Sequence, residues 1–471
     1  MKMPRIVPVV LFILVLALSA CVPTSFSVPT EIHINPGDDV EQAVVAVDGD
    51  GRSHIAGIVN DRLVYYRTRF GEPLVTVTFT MSGSGANWVQ YDPDIAVTDS
   101  GTAYVVWIER HGGPEQFVCW RSLPLYPPPG GYTKYCNPMD GTNQSTGLVQ
   151  VATNGTVVYA VYDRLYTTDG HGRIYSLRYK ELTDTTNTGD VYWYINYFET
   201  GDVYSMDMVV DSNGKLHTLF LENYTTTGLP PYTKRLAYRS NVSVLADGTM
   251  NQIWNIFEGS SLNATTNVSL TIHTSSGVPR VASVSIDTVS GIDKIWVDSC
   301  EVSGCGNKDS HQVVLPSSWN SYSVIDELEL LGIGENLFLS FIGYDNTPPT
   351  GVPQVYYVDP YSGDVPWKPS SGTDTYKFDL EMTRVEPRPE SSSTVPFPVM
   401  AWLETDGVTK EYYVYDGAFS KTQVSQDGCI APPFSGDINS NGVYLSGVWD
   451  ACGNTWFSTQ AWDMNLPLLL K

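Results

Sequence analysis

The feature that most constrains the fold is a repeated phrase: two runs of alternating apolar residues joined by a turn rich in Asp, Asn, Ser and Gly, then an aromatic third run. In the first copy, residues 43–48 and 53–59 flank the turn, and residues 63–67 form the third run. The turn glycines recur at intervals of 50 to 63 residues, and a last interval of 108 spans two periods. They are Gly51, Gly101, Gly155, Gly214, Gly277, Gly334 and Gly442. Such a period is typical of repeat proteins built from small stacked units.

Each unit predicts strands rather than helices. The period-2 alternation, the Asp-Gly and Asn-Gly turns and the Val, Tyr and Trp content are typical of β-strands, and no stretch beyond the leader keeps a helical period. The double interval predicts an eighth turn near residue 388, where a Pro-rich segment at 386–390 precedes a strand-like run at 398–402. We therefore predict an all-β β-propeller of eight four-stranded blades, with seven blades and one broken unit as the alternative.

The geometry of a propeller assigns each turn to a face of the disc. The four antiparallel strands of a blade, a to d, lie side by side in order from the centre outward. The a–b and c–d turns therefore share one face of the disc, and the b–c turns and d–a connections share the other. The last unit has only three clear strands, and residues 31–35 are expected to supply its outer strand and close the ring. The tail at 466–470 is the alternative, although Pro467 is unsuited to a paired strand. The propeller domain is predicted at 31–465.

The N-terminal segment predicts export. Lys2 and Arg5 precede an apolar run of about fifteen residues, which is shorter than a membrane span and typical of a signal peptide. The run ends in the tetrapeptide Leu-Ser-Ala-Cys21, which resembles the lipobox of bacterial lipoproteins, whose cysteine is acylated with chains such as palmitate. The resemblance implies a signal peptide at 1–20, a lipid anchor on Cys21, a tether at 21–30 and a place on the extracytoplasmic side of the bacterial envelope. An ordinary signal peptide with a chance cysteine is the alternative.

The remaining cysteines fall as neighbouring pairs. Of seven cysteines, six remain after Cys21, and an even number in an exported protein is most simply explained by disulfides. No pair has Cys-x-x-Cys spacing or a histidine at ligand distance, which argues against a metal site. The predicted disulfides are Cys119–Cys136, Cys300–Cys305 and Cys429–Cys452.

The net negative charge of the chain argues against some classes of binding partner. Lys and Arg total 27 against 51 Asp and Glu, a net charge of −24, so we expect no binding to nucleic acid. Hydrophobic residues make up 42% of the chain, which is enough for a large core. We expect a monomer that holds no cofactor.

The repeats resemble those of a known group of propellers. Third runs end in Tyr66-Arg67-Thr68, Trp120-Arg121-Ser122 and Tyr238-Arg239-Ser240. The alternating strand, Asp-x-Gly turn and aromatic strand resemble the repeats of sialidase-like propellers that carry Asp-boxes, over most of residues 40–460. The box itself, Ser-x-Asp-x-Gly-x-Thr-Trp, survives as fragments at 359–367 and 450–456. The second fragment falls at a predicted b–c turn, whereas the family places its boxes at c–d turns. The resemblance implies a propeller fold.

The residues that a sialidase needs are not recognisable. The family uses an arginine cluster, a Tyr–Glu nucleophile pair and an Asp acid/base, and its Arg-Ile-Pro signature is absent after the leader. Arg52, Arg67, Arg121 and Arg239 are expected at a–b turns or strand-c ends, opposite the family's active site, as solvated or strand-edge residues. We assign no catalytic residue. A glycan-active hydrolase stays open as the alternative, because two carboxylates about 5 to 10 Å apart would suffice.

One turn resembles a metal loop. The segment Asp48-Gly-Asp50-Gly51 looks like the start of a calcium loop, and Ca²⁺ binding is kept as an alternative. Asp and Gly are also the residues that a tight hairpin needs, and the sibling turns lack the second Asp. We therefore favour the turn interpretation.

The predicted b–c loops are the longest and most aromatic part of the chain. Tyr and Pro give stiff, flat surfaces at low entropic cost, which suits recognition of a glycan or a protein. Candidate binding residues are Tyr166, His171, Tyr224, Tyr232, Tyr344 and Asp345. The alternative is that these residues only stiffen exposed hairpins. We predict a lipid-anchored binding or scaffold module, with a glycan-active hydrolase and a purely structural surface protein as the other classes.

Overall fold

The computed structural model describes only part of the chain. The described residues are 30–32, 40–68, 74–80, 88–111, 116–134, 136–139, 148–168, 172–184, 193–198, 203–224, 233–242, 244, 250, 254–258, 268–289, 292–316, 324–344, 352–368, 370, 376–385, 397–405, 410–415, 421–423, 430–438, 444–451 and 454–461. The predicted signal peptide at 1–20 and Cys21 lie outside them. Within them, no helix is long and apolar enough to cross a membrane.

The described strands form eight small antiparallel sheets, numbered in chain order. Strand β1 (Thr30–Ile32) precedes sheet 1. Sheet 1 contains β2 (Val40–Val47), β3 (Ser53–Val59), β4 (Arg62–Thr68) and β5 (Val75–Thr78). Sheet 2 contains β6 (Trp88–Val97), β7 (Ala103–His111), β8 (Gln116–Leu123) and β9 (Asn137–Pro138). Sheet 3 contains β10 (Val149–Thr153), β11 (Val158–Thr168), β12 (Gly172–Glu181) and β13 (Trp193–Phe198).

The other five sheets continue this order. Sheet 4 contains β14 (Val203–Val210), β15 (Leu216–Tyr224), β16 (Thr233–Ser240) and β17 (Trp254–Glu258). Sheet 5 contains β18 (Ser269–Ser275), β19 (Val278–Val289), β20 (Ile292–Glu301) and β21 (Gly304–Gln312). Sheet 6 contains β22 (Val324–Ile333), β23 (Asn336–Tyr344) and β24 (Gln354–Val358). Sheet 7 contains β25 (Tyr376–Val385), β26 (Phe397–Thr405), β27 (Lys410–Tyr415) and β28 (Lys421–Gln423). Sheet 8 contains β29 (Ile430–Ile438), β30 (Tyr444–Ala451) and β31 (Asn454–Ala461) together with β1.

The predicted all-β class is confirmed. Each sheet is a meander in which consecutive strands are neighbours, so its first strand forms one edge. In sheet 8 the N-terminal strand takes the outer position: Thr30 lies opposite Phe457 and Ile32 opposite Thr455. Residues 466–470, the alternative source of this strand, lie outside the described part of the chain.

Sheet 6 departs from the predicted four strands. Its outer edge is covered by an isolated bridge, in which the N–H groups of Tyr357 and Trp367 each donate to the other's carbonyl over 2.8 Å. Pro366 directly precedes the bridging tryptophan, and a proline cannot donate a ladder hydrogen bond. The fourth strand is therefore reduced to a single pair.

The core is divided among the spaces between sheets. Trp107 of sheet 2 is fully buried, and its ring lies 5.0 Å from that of Phe79, which follows sheet 1. Similar apolar clusters lie between later sheets, such as the one that joins Val297 of sheet 5 to Leu339 and Phe341 of sheet 6. A single three- or four-stranded sheet has too little area to cover its own apolar faces, so neighbouring sheets stabilise one another.

The first strands of successive sheets contact each other. The contacting pairs are β2 and β6, β6 and β10, β10 and β14, β14 and β18, β18 and β22, β22 and β25, β25 and β29, and β29 and β2. The turns that follow these strands also meet. At Gly155 the backbone has φ of 91°, and a Cβ atom would lie 2.4 Å from Asp99 Oδ1, so only glycine fits where the turns of sheets 2 and 3 touch.

Candidate functional site

Carboxylates from the first strands reach across to the next sheet. Asp94 Oδ2 accepts the backbone N–H of Val151 in sheet 3 over 2.8 Å, and Asp207 Oδ2 accepts that of Leu270 in sheet 5 over 2.6 Å. These N–H groups lie on edge strands, where half of the backbone donors have no strand to pair with. In both cases a shift in the register of the first strand directly precedes the carboxylate or lies close to it, and such bulges re-aim side chains.

Side chains make this kind of bridge at every boundary from sheet 1 to sheet 7. The second, fourth and sixth boundaries use carboxylates, and the last of these joins Glu327 Oε2 to the N–H of Leu380 over 2.6 Å. The boundaries between them also have bridges made by neutral side chains. Their bridges are Gln42 with Asp92, Gln150 with Met206, and Ser269 with Leu330.

The two aspartates on these strands are unusually weak acids. Burial raises the pKa of Asp94 to about 6, although the N–H groups of Val151 and Ile95 lower it in part. Burial likewise raises the pKa of Asp207 to about 6, and the charge of Asp94 raises it further. Among the described residues, no arginine or lysine shifts the pKa of either group.

A second kind of carboxylate site lies at the a–b turns. Asp48 Oδ2 lies 3.2 Å from His54 Nε2, and His54 Nδ1 lies 2.7 Å from the hydroxyl of Tyr65. Asp48 Oδ1 accepts the N–H groups of Asp50 and Arg52 over 2.9 and 2.8 Å. Burial alone would raise the pKa of Asp48, but His54 and the N–H of Arg52 hold it below its usual value. Both oxygens thus close the turn, which supports the turn interpretation over a calcium loop.

Sheet 4 repeats this arrangement. Asp211 Oδ2 lies 3.4 Å from His217 Nε2, and His217 Nδ1 lies 2.6 Å from the hydroxyl of Tyr238. The hydrogen bond from His217 holds the pKa of Asp211 below its usual value against the effect of burial. All members are at least nine-tenths buried. Their chemistry resembles a proton relay, but their burial gives a substrate no access, so we assign them a structural role.

The arginines singled out in the sequence lie near a–b turns and strand ends, as expected. Arg52 contacts Asp48 and Asp50 within its own turn. Arg67 donates to the carbonyl of Leu125 over 2.6 Å, and Arg121 to that of Cys136 over 3.3 Å.

Arg239 differs from the expected solvated residue. It is only 9% exposed, and burial lowers its pKa to about 10. Its Nη1 donates to the carbonyl of Met250 over 3.2 Å. Sequence analysis did not identify the neighbouring buried ion pair between Arg235 and Glu222.

Two predicted cysteine pairs lie at disulfide distance. The Cα atoms of Cys119 and Cys136 are 5.1 Å apart, and those of Cys300 and Cys305 are 4.9 Å apart across the turn between β20 and β21. Cys429 and Cys452 lie outside the described residues. The Glu109 carboxylate lies within 4.8 Å of both sulfur atoms of the first pair. Because these sulfur atoms are joined to each other, the group does not offer a set of metal ligands.

Three candidate binding residues occupy matching places. Tyr166, Tyr224 and Tyr344 lie at or near the ends of β11, β15 and β23, the second strands of sheets 3, 4 and 6. Their backbones pair with Ile174, Thr233 and Val324. The structure therefore puts all three at the b–c ends of their sheets. His171, Tyr232 and Asp345 lie outside the described residues.

A cavity of about 430 Å³ lies at the opposite, a–b end of the first strands. Its wall contains Ala46, Ala96 and Ala152, which hold equivalent positions in sheets 1 to 3, and the turn residues Asp99 and Gly155. Sequence reasoning missed both this cavity and the carboxylates on the first strands. The available signal was an acid next to apolar residues within a strand-like run: Asp94 directly precedes Ile95, and Asp207 lies between two methionines.

Comparison with known proteins finds similar structures but no similar sequence. No protein-family model matches the chain, and no curated protein sequence matches it. The Dos1 propeller covers 92% of this chain and 95% of its own at 10% identity, with a TM-score of 0.48. A Hadza microbial sialidase, Hz136, covers 77% of each chain at 10% identity with a TM-score of 0.38. Penicillium chrysogenum α-L-arabinanase covers 79% of this chain and 93% of its own at 9% identity with a TM-score of 0.35. The neighbours are thus β-propellers that include hydrolases, and at these scores the likeness carries no information about activity.

Proposed function

We propose that the protein is a lipid-anchored, extracytoplasmic β-propeller that binds a glycan or a protein at the bacterial cell envelope. The eight sheets are its blades, and β1 closes the ring by completing the last one. Two contacts support closure. The first strand of sheet 8 contacts that of sheet 1, and β1 pairs with β31.

Export and anchoring rest on the sequence and on the cysteine pairs. The Leu-Ser-Ala-Cys21 motif is the acylation signal, and two cysteine pairs at disulfide distance suit an oxidising compartment. The test is metabolic labelling of the full chain with a palmitate analogue in a bacterial host. Label should appear in the envelope fraction and vanish in Cys21→Ser. Labelling that persists in this variant contradicts the anchor.

The observation that carries the binding function is the shared position of Tyr166, Tyr224 and Tyr344. They come from three sheets and from distant parts of the chain, yet each lies where a second strand meets its b–c connection. In a ring of blades these positions fall on one face of the disc. Tyrosines gathered on one rigid face supply amphipathic contact area at low entropic cost.

The binding test uses glycan and peptide arrays with the full chain and a variant in which these three tyrosines are alanine. We expect saturable binding that weakens at least tenfold in the triple variant. Tyr126→Ala is the matched control, because Tyr126 is 80% exposed on the hairpin after β8, at the other end of its sheet. Equal binding by the triple variant and the parent contradicts this assignment.

A glycan-active, sialidase-like hydrolase is the second candidate, and Asp94 and Asp207 favour it. Both carboxyls lie on first strands of their sheets, and a pKa of about 6 suits an acid catalyst near neutral pH. The test is release of sugar from sialyllactose or arabinan, with Asp94→Asn and Asp207→Asn as matched variants. Cleavage that both variants abolish establishes this function. Absence of cleavage by the parent rules out these two activities.

A further inference from the structure

The degenerate Asp-box of sheet 6 forms a rigid turn directly after β24. Asp359 Oδ1 accepts the N–H of Tyr361 over 2.9 Å, and the Asp359 carbonyl accepts the N–H of Ser362 over 3.2 Å. Gly363 completes the turn with φ of 73°, a conformation that favours glycine. These bonds fix the backbone of Tyr361, and neither the b–c face nor the inner carboxylates use this residue.

Tyr361 lies against the outer part of sheet 5. Its ring centroid is 5.5 Å from that of His311 on β21, at an interplanar angle of 57°. Burial raises the pKa of Tyr361, and a hydrogen bond with the Ser299 side chain lowers it in part. The residue is nevertheless 41% exposed. One part of the ring is therefore fixed by sheet 5 while the rest faces solvent.

Ser299 connects this tyrosine to a set of polar side chains. Arg280 Nε donates to Ser299 Oγ over 2.9 Å, and His273 Nε2 lies 3.0 Å from the same oxygen. Arg280 Nη2 also donates to Asp309 Oδ2 over 2.6 Å. The Arg280 side chain is 15% exposed and the Asp309 side chain 75%. A donor and an acceptor thus stand side by side at the edge of the cluster, held by the pairing of β18 to β21.

One ring nitrogen of this cluster has unused hydrogen-bonding capacity. Among the described residues, His311 Nε2 is buried and has no hydrogen-bond partner. A buried polar atom without a partner costs free energy, and such atoms are commonly satisfied by water or by a ligand.

We propose that Tyr361, Arg280, Asp309 and His311 form a binding subsite for one neutral pyranose unit of a glycan. The apolar face of a sugar ring packs on an exposed aromatic ring, and its vicinal hydroxyls donate to a carboxylate and accept from a guanidinium. The exposed Asp309 and the net charge of −24 disfavour a carboxylated or sulfated sugar. The ligand class follows from the proposed binding function, but the site lies at a c–d turn, away from the b–c tyrosines.

The experiment is isothermal titration of the full chain with neutral hexasaccharides: maltohexaose, cellohexaose, xylohexaose and mannohexaose. We expect at least one to bind, with affinity lowered at least tenfold by Tyr361→Ala and within about threefold of the parent in Tyr361→Phe, which keeps the ring. Asp309→Ala provides a second test at an exposed position and should also weaken binding. Tyr126→Ala is the control and should leave the affinity unchanged. Thermal unfolding of each variant checks its fold.

Several results would overturn the subsite. They are no binding of any of these hexasaccharides, tighter binding of a uronic acid oligomer than of any neutral one, or equal affinities in the parent, Tyr361→Ala and Asp309→Ala. Binding that is lost when Tyr166, Tyr224 and Tyr344 are replaced but is unchanged in Tyr361→Ala removes the subsite and leaves the b–c binding face intact. Loss in Tyr361→Ala alone supports the subsite and moves binding away from the b–c face.

Discussion

Two sets of aspartates in this molecule have pKa values that are shifted in opposite directions. Asp48 and Asp211, at a–b turns, each face a histidine, and their pKa values are held low. Asp94 and Asp207, on first strands, accept backbone N–H groups, and desolvation raises their pKa values to about 6. Each of the four carboxylates takes part in at least two hydrogen bonds, with backbone N–H groups or with a histidine side chain. The pKa of the carboxyl is low where a histidine, and at Asp48 also Arg52, adds to the backbone hydrogen bonds, and it is raised where desolvation is opposed by backbone N–H groups without such a partner.

The largest effect is expected for Asp48→Ala. The variant leaves the N–H groups of Asp50 and Arg52 and the buried ring of His54 without their acceptor, and we expect unfolding to become easier by about 3 kcal/mol at pH 7. Urea denaturation followed by tryptophan fluorescence measures this. Asp50→Ala is the matched control in the same turn, since its side chain is 66% exposed and forms an ion pair with Arg52 at the surface; we expect a change below about 0.5 kcal/mol. Equal effects of the two variants would contradict the account.

Asp94→Asn and Asp207→Asn test the other side of the comparison through pH. A carboxyl whose pKa is raised on folding binds protons more tightly in the folded state, so it lowers stability as pH rises from about 4 to about 6. An amide carries no charge, so each variant should gain stability relative to the parent by about 2 kcal/mol between pH 4 and pH 8. Urea midpoints at the two pH values measure this. A stability difference that does not change with pH means that these carboxyls are not weakened by burial.

A smaller effect is expected for Tyr65→Phe, with Tyr238→Phe as its counterpart in sheet 4. Each variant removes one buried hydrogen bond to a histidine, worth about 1 kcal/mol, and keeps the ring. Tyr126→Phe is the control at an exposed position. The same denaturation assay applies. Tyrosine variants that match the control would show that the histidines do not need the phenol.

Below neutral pH, the aspartates that face a histidine should change the stability of the protein differently from Asp94 and Asp207. Burial lowers the pKa of His54, so the unfolded chain takes up its proton first, and stability falls as pH drops through about 6.5. The low pKa of Asp48 adds a further loss at more acidic pH, below about 4. These losses oppose the gain that Asp94 and Asp207 make on acidification.

Much of the fold follows from local sequence. The alternating runs at 43–48, 53–59 and 63–67 agree with β2, β3 and β4, because side-chain alternation and turn glycines act over a few residues. The short spacing of the cysteines likewise predicted three pairs. The two pairs that lie within the described residues are both at disulfide distance.

The contacts between sheets could not be predicted in this way. Asp94 accepts a hydrogen bond from Val151 only because sheets 2 and 3 pack in one particular register. No local sequence pattern encodes that register. The same holds for buried Arg239, which is polar at a strand end yet is covered by a neighbouring segment at Met250. Pro366 was visible in the sequence, but the single bridge that takes the place of a fourth strand among the described residues of sheet 6 depends on where Trp367 meets Tyr357.

The proposed ring of eight sheets, closed by β1, can be tested with a pair of cysteines placed across β1 and β31. Thr30 lies opposite Phe457, so Thr30→Cys with Phe457→Cys in the full chain should form a disulfide on mild oxidation, detected as a linked peptide by mass spectrometry. Thr30→Cys with Thr459→Cys is the control, because Thr459 lies two residues beyond Phe457 on β31, outside the residues 455–457 that pair with β1. Efficient linkage of the first pair and not of the second is the predicted result. No linkage to position 457 in a folded chain would contradict the closed ring.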